Sequence, residues 1–158
     1  MTRVGFGFDL HPLAPGRPLV LGGVTVDFER GLAGHSDADV LSHAVGEALL
    51  GALALGDLGR HFPDTDPRYR GISSLRLLRN VVELVTAQGG RLVNVDATVL
   101  AQAPKLAPHL PEMAKRLSGV LGIPIDRMSV KAKSPEGLGL VGRREGIAAM
   151  AVVSVETQ

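Results

Sequence analysis

Residues 3–9, RVGFGFD, alternate with a period of two: Val4, Phe6 and Phe8 on one parity, Gly5, Gly7 and Asp9 on the other. That period is the mark of a β-strand. Residues 18–28 read as a hairpin, PLVL and VTVDF joined by Gly22-Gly23. Residues 37–55 read as a helix, with Ser36 as N-cap and Asp39 in the first turn. The stretch GDLGRHFPDTDPRYRG, residues 56–71, is dense in Gly, Pro and Asp and reads as a long loop. Long loops inside compact domains are often functional. A second helix is expected over Ser73–Gln88, where Leu77, Val81, Leu84 and Val85 keep helical spacing and Gly89 stops it. Strands follow at 91–102, 127–133 and 146–156, with a third helix at 111–121 that carries Pro111 near its start. Hairpin and helical connections are mixed. The expected fold is therefore α+β, a single domain over residues 1–158 with one mixed sheet and helices packed on one face.

The chain has 158 residues, 45% of them hydrophobic, enough to bury one core and too many for a disordered chain. Its net charge is +1, the Lys and Arg residues are scattered, and there are one Tyr and no Trp. Nucleic-acid binding, which needs a basic surface and often stacking aromatics, is not expected. With no Cys, disulfides, thiolate metal sites and cysteine nucleophiles are excluded, which fits a reducing cytoplasm. No signal peptide is expected before the first strand. The most apolar run, Ala48–Leu55, is too short to span a membrane.

Asp9 and His11 lie two apart, so they project from the same side of the strand, near the end where Pro12 is expected to terminate it. Asp39, His43 and Glu47 repeat every four residues and form a polar stripe on the first helix, while Leu41, Val45, Leu49 and Leu53 form its core side. One carboxylate and two imidazoles suit zinc, and three protein ligands with a vacant fourth position is the catalytic pattern. The plainer alternative makes Asp9 a turn cap, His11 a packed side chain and His43 a surface histidine.

Three further clusters are polar. In GHSDAD, residues 34–39, His35, Ser36 and the first-turn N–H groups offer an anion site, or an ordinary N-cap. In AQAPKLAP, residues 101–108, two prolines force irregular backbone that can read a base edge, with Lys105 for a phosphate, or that merely links strand to helix. In VKAKSPEGLGLVGRREG, residues 130–146, Lys131, Lys133, Ser134 and Glu136 gather at a strand end. Ser134 can donate to a phosphate and Glu136 can hold a divalent cation, or the segment is a flexible hairpin.

In order along the chain stand GFDLH, GHSDADVLSHA, GDLGRHFPDTDP, AQAPKLAPH, VKAKSPEGLG and GRREGIAA. Together they resemble the 2-C-methyl-D-erythritol 2,4-cyclodiphosphate synthases of the non-mevalonate isoprenoid pathway, over nearly the whole length. The resemblance implies zinc, or another divalent metal, on Asp9, His11 and His43, and phosphate stabilisation by His35 and Ser134, the second position usually being Thr. It implies a cytidine pocket from Ala101, Gln102, Ala103, Pro104, Lys105, Leu106 and Ala107, with Ala132 and Lys133 beside Ser134. Glu136 would hold magnesium or manganese on the substrate diphosphate. Asp57, Leu58, Gly59, Phe62, Pro63, Asp64, Thr65 and Asp66 would cover the erythritol part, with Ser36 and Glu47 beside it; Glu47 stands where Asp is frequent.

The resemblance also implies a homotrimer, with active sites between subunits that take metal and polyol residues from one chain and cytidine residues from the next. Arg143 would face a central cavity able to hold an isoprenoid diphosphate, where Leu140 replaces a common Phe. The expected enzyme is a CMP-releasing lyase of the cytoplasm, with a small cytidine diphosphate substrate and no nucleic-acid or membrane partner. Two rivals are a zinc phosphohydrolase or nucleotidase that releases inorganic phosphate, and a non-catalytic trimer that binds a nucleotide or an isoprenoid diphosphate.

Overall fold

The computed structural model describes residues 1–158. Strands β1 (Thr2–Pro15), β2 (Leu19–Leu21), β3 (Val24–Val26) and β4 (Arg30–Leu32) come first, then helices α1 (Val40–Ala52), α2 (Leu58–His61) and α3 (Ser74–Ala87). Strand β5 (Arg91–Leu100), helix α4 (Leu110–Leu121), strand β6 (Met128–Lys133), the short helix α5 (Gly139–Gly142) and strand β7 (Gly146–Glu156) complete the chain. Five strands form one sheet in the order β4-β1-β7-β5-β6; β2 and β3 form a separate hairpin. Strands β5 and β6 are parallel, joined through α4, and the other pairs of the large sheet are antiparallel. The α+β class and the mixed sheet hold.

Pro12 does not end the first strand. It pairs with Gly146, and the strand runs on to Pro15 against β4, a three-residue edge strand too short to show an alternation in sequence. The fixed φ of proline suits a strand, and at a sheet's margin the missing donor costs little. Helix α1 begins three residues later than expected, capped by Asp39 rather than Ser36.

Helix α1 lies across β1 and β7. On β1 the parity facing it is Gly5, Gly7, Asp9 and His11, and an added Cβ at Gly7 would stand 1.9 Å from the Ala44 carbonyl oxygen. Ala44, Ala48 and Ala52 present small side chains to the strand and are buried with Val45, Leu49 and Leu50. This close approach sets α1 near enough to β1 for residues of both to share one site. The opposite face of β1 is uncovered: Val4, Phe6 and Phe8 are 65%, 62% and 53% exposed. No helix is long and apolar enough to cross a membrane.

Candidate active site

In the second half of β1, Asp9 and His11 meet His43 of α1. The Nδ1 atoms of both imidazoles lie 3.0 Å from Asp9 Oδ2, while the Leu10 amide donates to Asp9 Oδ1 at 2.9 Å. One ligand atom from each residue falls within 4.8 Å of the others, a spacing that can hold a metal ion. His43 Nδ1 hydrogen-bonds Asp9. His11 Nδ1 is off the hydrogen-bond line, and this buried nitrogen has no partner. A buried orphan nitrogen 3.0 Å from a carboxylate oxygen, but off its hydrogen-bond line, fits a cation held between them.

The cluster opens on a cavity of about 550 Å³ lined also by His35, Ser36, Glu47, Leu58, Phe62 and Asp64. Gly59 and Pro63 line it too. His35 is fixed by its neighbours: its Nε2 donates to the Asp66 carbonyl at 2.9 Å, and the Gly71 amide donates to its carbonyl at 2.8 Å. Arg17 donates to the carbonyls of Gly34 and Ser36 on either side. Glu47 accepts from the Leu58 amide at 3.1 Å and so ties the start of α2 to α1. Burial, with Asp57 and Asp9 nearby, pushes the Glu47 carboxyl above its ordinary value, against the lowering effect of that amide.

Several expected roles change. Asp39 is not on the exposed stripe with His43 and Glu47. It is fully buried, accepting from the amides of Ser42, Gly22 and Gly23 and from the Ser42 hydroxyl. Spacing of four along a helix assigns a face, but Asp39 precedes the first helical residue. The amides expected to bind an anion at 34–39 are engaged: Asp37 N with the Ile72 carbonyl, Ala38 N with Ser36 Oγ and Asp39 N with Asp37 Oδ1. Asp57 caps α2 through the Arg60 amide, and the Asp66 carboxylate pairs with Arg68. Neither of these, nor Thr65, lines the cavity.

Ser134, Glu136, Ala132, Lys133 and the 101–107 segment stand elsewhere, at the C-terminal ends of β5 and β6. There the Ala101 amide donates to the Lys133 carbonyl, Gln102 accepts from the Gly137 amide, and Ser134 Oγ accepts from the Glu136 amide. Lys131 is paired with Asp96 across the two strands. Ala103, Pro104, Lys105, Leu106 and Ala107 run irregularly toward α4, with a cis bond before Pro104. None of this group lines the cavity of the Asp9 cluster. A single chain thus carries two separated groups of candidate residues.

Residues 2–156 match the YgbB family. This chain belongs to the YgbB family. It is 59% identical over 153 residues to a protein of Pelotomaculum thermopropionicum named 2-C-methyl-D-erythritol 2,4-cyclodiphosphate synthase, covering 97% of this chain and 94% of that one. A protein of the same name from Geobacter metallireducens is 59% identical over 154 residues, 98% of each chain. The fold superposes with a TM-score of 0.90 on a solved 2C-methyl-D-erythritol-2,4-cyclodiphosphate synthase in its CDP-bound form, at 40% identity over 98% of this chain and all of that one. It also superposes on the bifunctional IspDF from Campylobacter jejuni, with a TM-score of 0.96 and 39% identity. All of this chain is covered there, and 43% of that longer one.

Tyr69 and Ser74 join the site with no motif to mark them, and Gly34 and Asp37 of the GHSDAD cluster serve it in other ways than as an anion site or N-cap. A Cβ on Gly34 would stand 3.0 Å from His11 Cδ2, so glycine leaves room for the imidazole. Tyr69 also lines the cavity. Ser74 starts α3 and reaches His43, 31 positions away in sequence. No local pattern signals such a contact.

The ionisable groups predict a pH dependence for metal-free protein. Burial favours a protonated Asp9, but His11 and His43 outweigh it and hold the carboxyl well below the usual range. Burial favours a neutral His43, but the hydrogen bond and charge of Asp9, with Asp39 and Asp37 farther off, raise it above its ordinary value. The lowered Asp9 stabilises the fold above about pH 3.8 and loses that effect as pH falls. The raised His43 stabilises it below about pH 6.5 and loses that effect as pH rises through the folded value. Chelator-stripped protein is expected to melt highest between those limits, and added zinc is expected to extend the plateau upward, because metal replaces the proton. Coincident melting curves with and without zinc above neutral pH would contradict this.

Proposed function

We propose that the chain converts 4-diphosphocytidyl-2-C-methyl-D-erythritol 2-phosphate to 2-C-methyl-D-erythritol 2,4-cyclodiphosphate with release of CMP. The reading is carried by one observation, the Asp9–His11–His43 cluster opening on a cavity in a YgbB-family chain. An oxygen of the 2-phosphate bonds to the β-phosphorus. The bond from that phosphorus to the oxygen bridging it to the α-phosphate breaks, and CMP leaves with the electron pair. The nucleophile is ionised near neutral pH, so no side chain has to remove a proton. The barrier is one of charge and orientation.

Asp9, His11 and His43 would hold zinc and Glu136 magnesium or manganese, and divalent ions there polarise and neutralise phosphoryl oxygens. His35 and Ser134 hydrogen-bond the oxygens that gain charge. Leu58, Gly59 and Phe62 to Asp64 enclose the polyol, with Ser36 and Glu47 beside it and Asp57, Thr65 and Asp66 shaping the loop. Holding both phosphates in a closed site can contribute roughly 7–11 kcal/mol in favourable intramolecular cases. Residues 101–107 with Ala132 and Lys133 seat the cytidine. Ser134→Ala is expected to lower kcat more than it raises KM; a change in KM alone would remove Ser134 from the chemistry.

The separation of the two groups is what a site shared with a neighbour would produce. In this reading the chain is a homotrimer, and each site takes the Asp9 group from one subunit and the Ser134 group from the next. The exposed apolar parity of β1, continued by Val152 of β7 opposite Phe6, supports the assembly. Leu140 and Arg143 would line the central cavity; Arg143 donates to Glu145 through Nε at 2.6 Å, and its terminal N–H groups would be the ones to meet an isoprenoid diphosphate there. In this reading the reaction runs in the cytoplasm.

Co-expression tests the shared site. One chain carries His43→Ala; the other carries Ser134→Ala with Glu136→Ala. Each homotrimer is expected to be inactive. Mixed trimers contain one site with both intact halves, so random assembly restores about a quarter of wild-type activity. No recovery in verified mixed trimers would place the whole site within one subunit.

A further inference from the structure

Asp37 and Ser74 have no part in the chemistry above, yet both are spent on one ring that does. We propose that the Asp37–Ser74 pair is a positioning device for His43, fixing which ring nitrogen faces the metal position; this rests on the metal reading of Asp9, His11 and His43.

Ser74 Oγ donates to Asp37 Oδ1 in a short hydrogen bond. A carboxylate only accepts, and a serine hydroxyl has a single proton. That proton is committed, so Ser74 Oγ turns a lone pair toward His43 Nε2, 2.8 Å away. Nε2 must then carry hydrogen, and Nδ1, on the Asp9 side at 3.0 Å, is the nitrogen left to bind a cation. Ser36 Oγ lies farther from Nε2, at 3.2 Å, and already accepts from the Ala38 amide.

The device is itself held rigidly. Asp37 also accepts from the amides of Ser74 and Asp39, at 3.1 and 3.2 Å. Its own amide donates to the Ile72 carbonyl at 3.0 Å. Ser73, the formal N-cap of α3, makes no side-chain cap bond, so the Asp37 carboxylate serves the first turn of that helix instead. Ser74 is 1% exposed and cannot exchange its partner for water. Carboxylate, hydroxyl and imidazole thus form one chain that ends at the cluster. Partners of this kind to metal-binding histidines typically change metal affinity by roughly 10–100-fold when removed.

The test measures zinc affinity by competition with a chromophoric chelator near neutral pH, together with the ¹⁵N shifts of His43 in zinc-loaded protein. Wild type is expected to bind zinc with Nδ1 metallated and Nε2 protonated. Ser74→Ala is expected to weaken binding roughly 10–100-fold, and Ser74→Thr, which keeps the hydroxyl, to recover most of it. Asp37→Asn keeps an acceptor without the charge and is expected to weaken binding less than Ser74→Ala; it decides the matter alone if Ser74→Ala does not fold. Folded variants that bind zinc as tightly as wild type, or a His43 metallated through Nε2, would overturn the positioning role while leaving the metal site intact. A wild-type protein that takes no zinc would bring down the metal reading and this one with it.

Discussion

Gly7→Ala should unfold the chain well below the wild-type melting temperature, although it adds one methyl group. The added Cβ would sit 1.9 Å from the Ala44 carbonyl oxygen and 2.6 Å from the Ala48 nitrogen. Both are backbone atoms of α1, so no side chain can swing aside; the whole helix must lift from β1. Overpacking in a core commonly costs 1–3 kcal/mol, and a clash against backbone belongs at or above about 3 kcal/mol. For a chain of this size that is a fall of roughly 6–12 °C in Tm. The same displacement separates His43 from Asp9 and His11, so metal affinity should drop with stability. Gly119→Ala is the control of opposite sign. Gly119 lies inside α4 with nothing within 4 Å of an added Cβ. Alanine there is expected to stabilise by up to about 1 kcal/mol through helix propensity. Equal melting temperatures for the two variants would refute the close approach of α1 to β1.

His43→Ala should abolish metal binding and lower turnover by about a thousand-fold or more, the equivalent of several kcal/mol of lost charge stabilisation. The fold should survive. His43 sits at the edge of the cavity rather than in the continuous core of α1, which is made by Leu41, Val45, Leu49 and their neighbours. Circular dichroism and size-exclusion chromatography should therefore match wild type while zinc content falls to background. A variant that keeps turnover without bound metal would remove the cluster from the chemistry.

The sheet and the main helices were legible because their periodicities are local. Val4, Phe6 and Phe8 against Gly5 and Gly7 announced a strand, and Leu77, Val81 and Val85 announced a helix. What alternation could not tell was which side of β1 meets the rest of its own chain. The large apolar residues point away from the core, and the glycines, lacking side chains, admit a helix. The cluster of Asp9, His11 and His43 was legible as residue types and spacing, and the structure brings the three together. Asp39 stands off the stripe because a spacing of four describes a helix only after its cap. Ser74 and Asp37 were invisible as partners of His43 because the contact depends on how α3 docks beside α1.

The most direct test of the central claim is a product assay. Metal-loaded protein is incubated with 4-diphosphocytidyl-2-C-methyl-D-erythritol 2-phosphate, and phosphorus species are followed by ³¹P NMR. CMP and the cyclic diphosphate are expected to appear together in equal amounts, with no inorganic phosphate. Release of inorganic phosphate, or intact linear substrate beside fully metallated protein, would contradict the account.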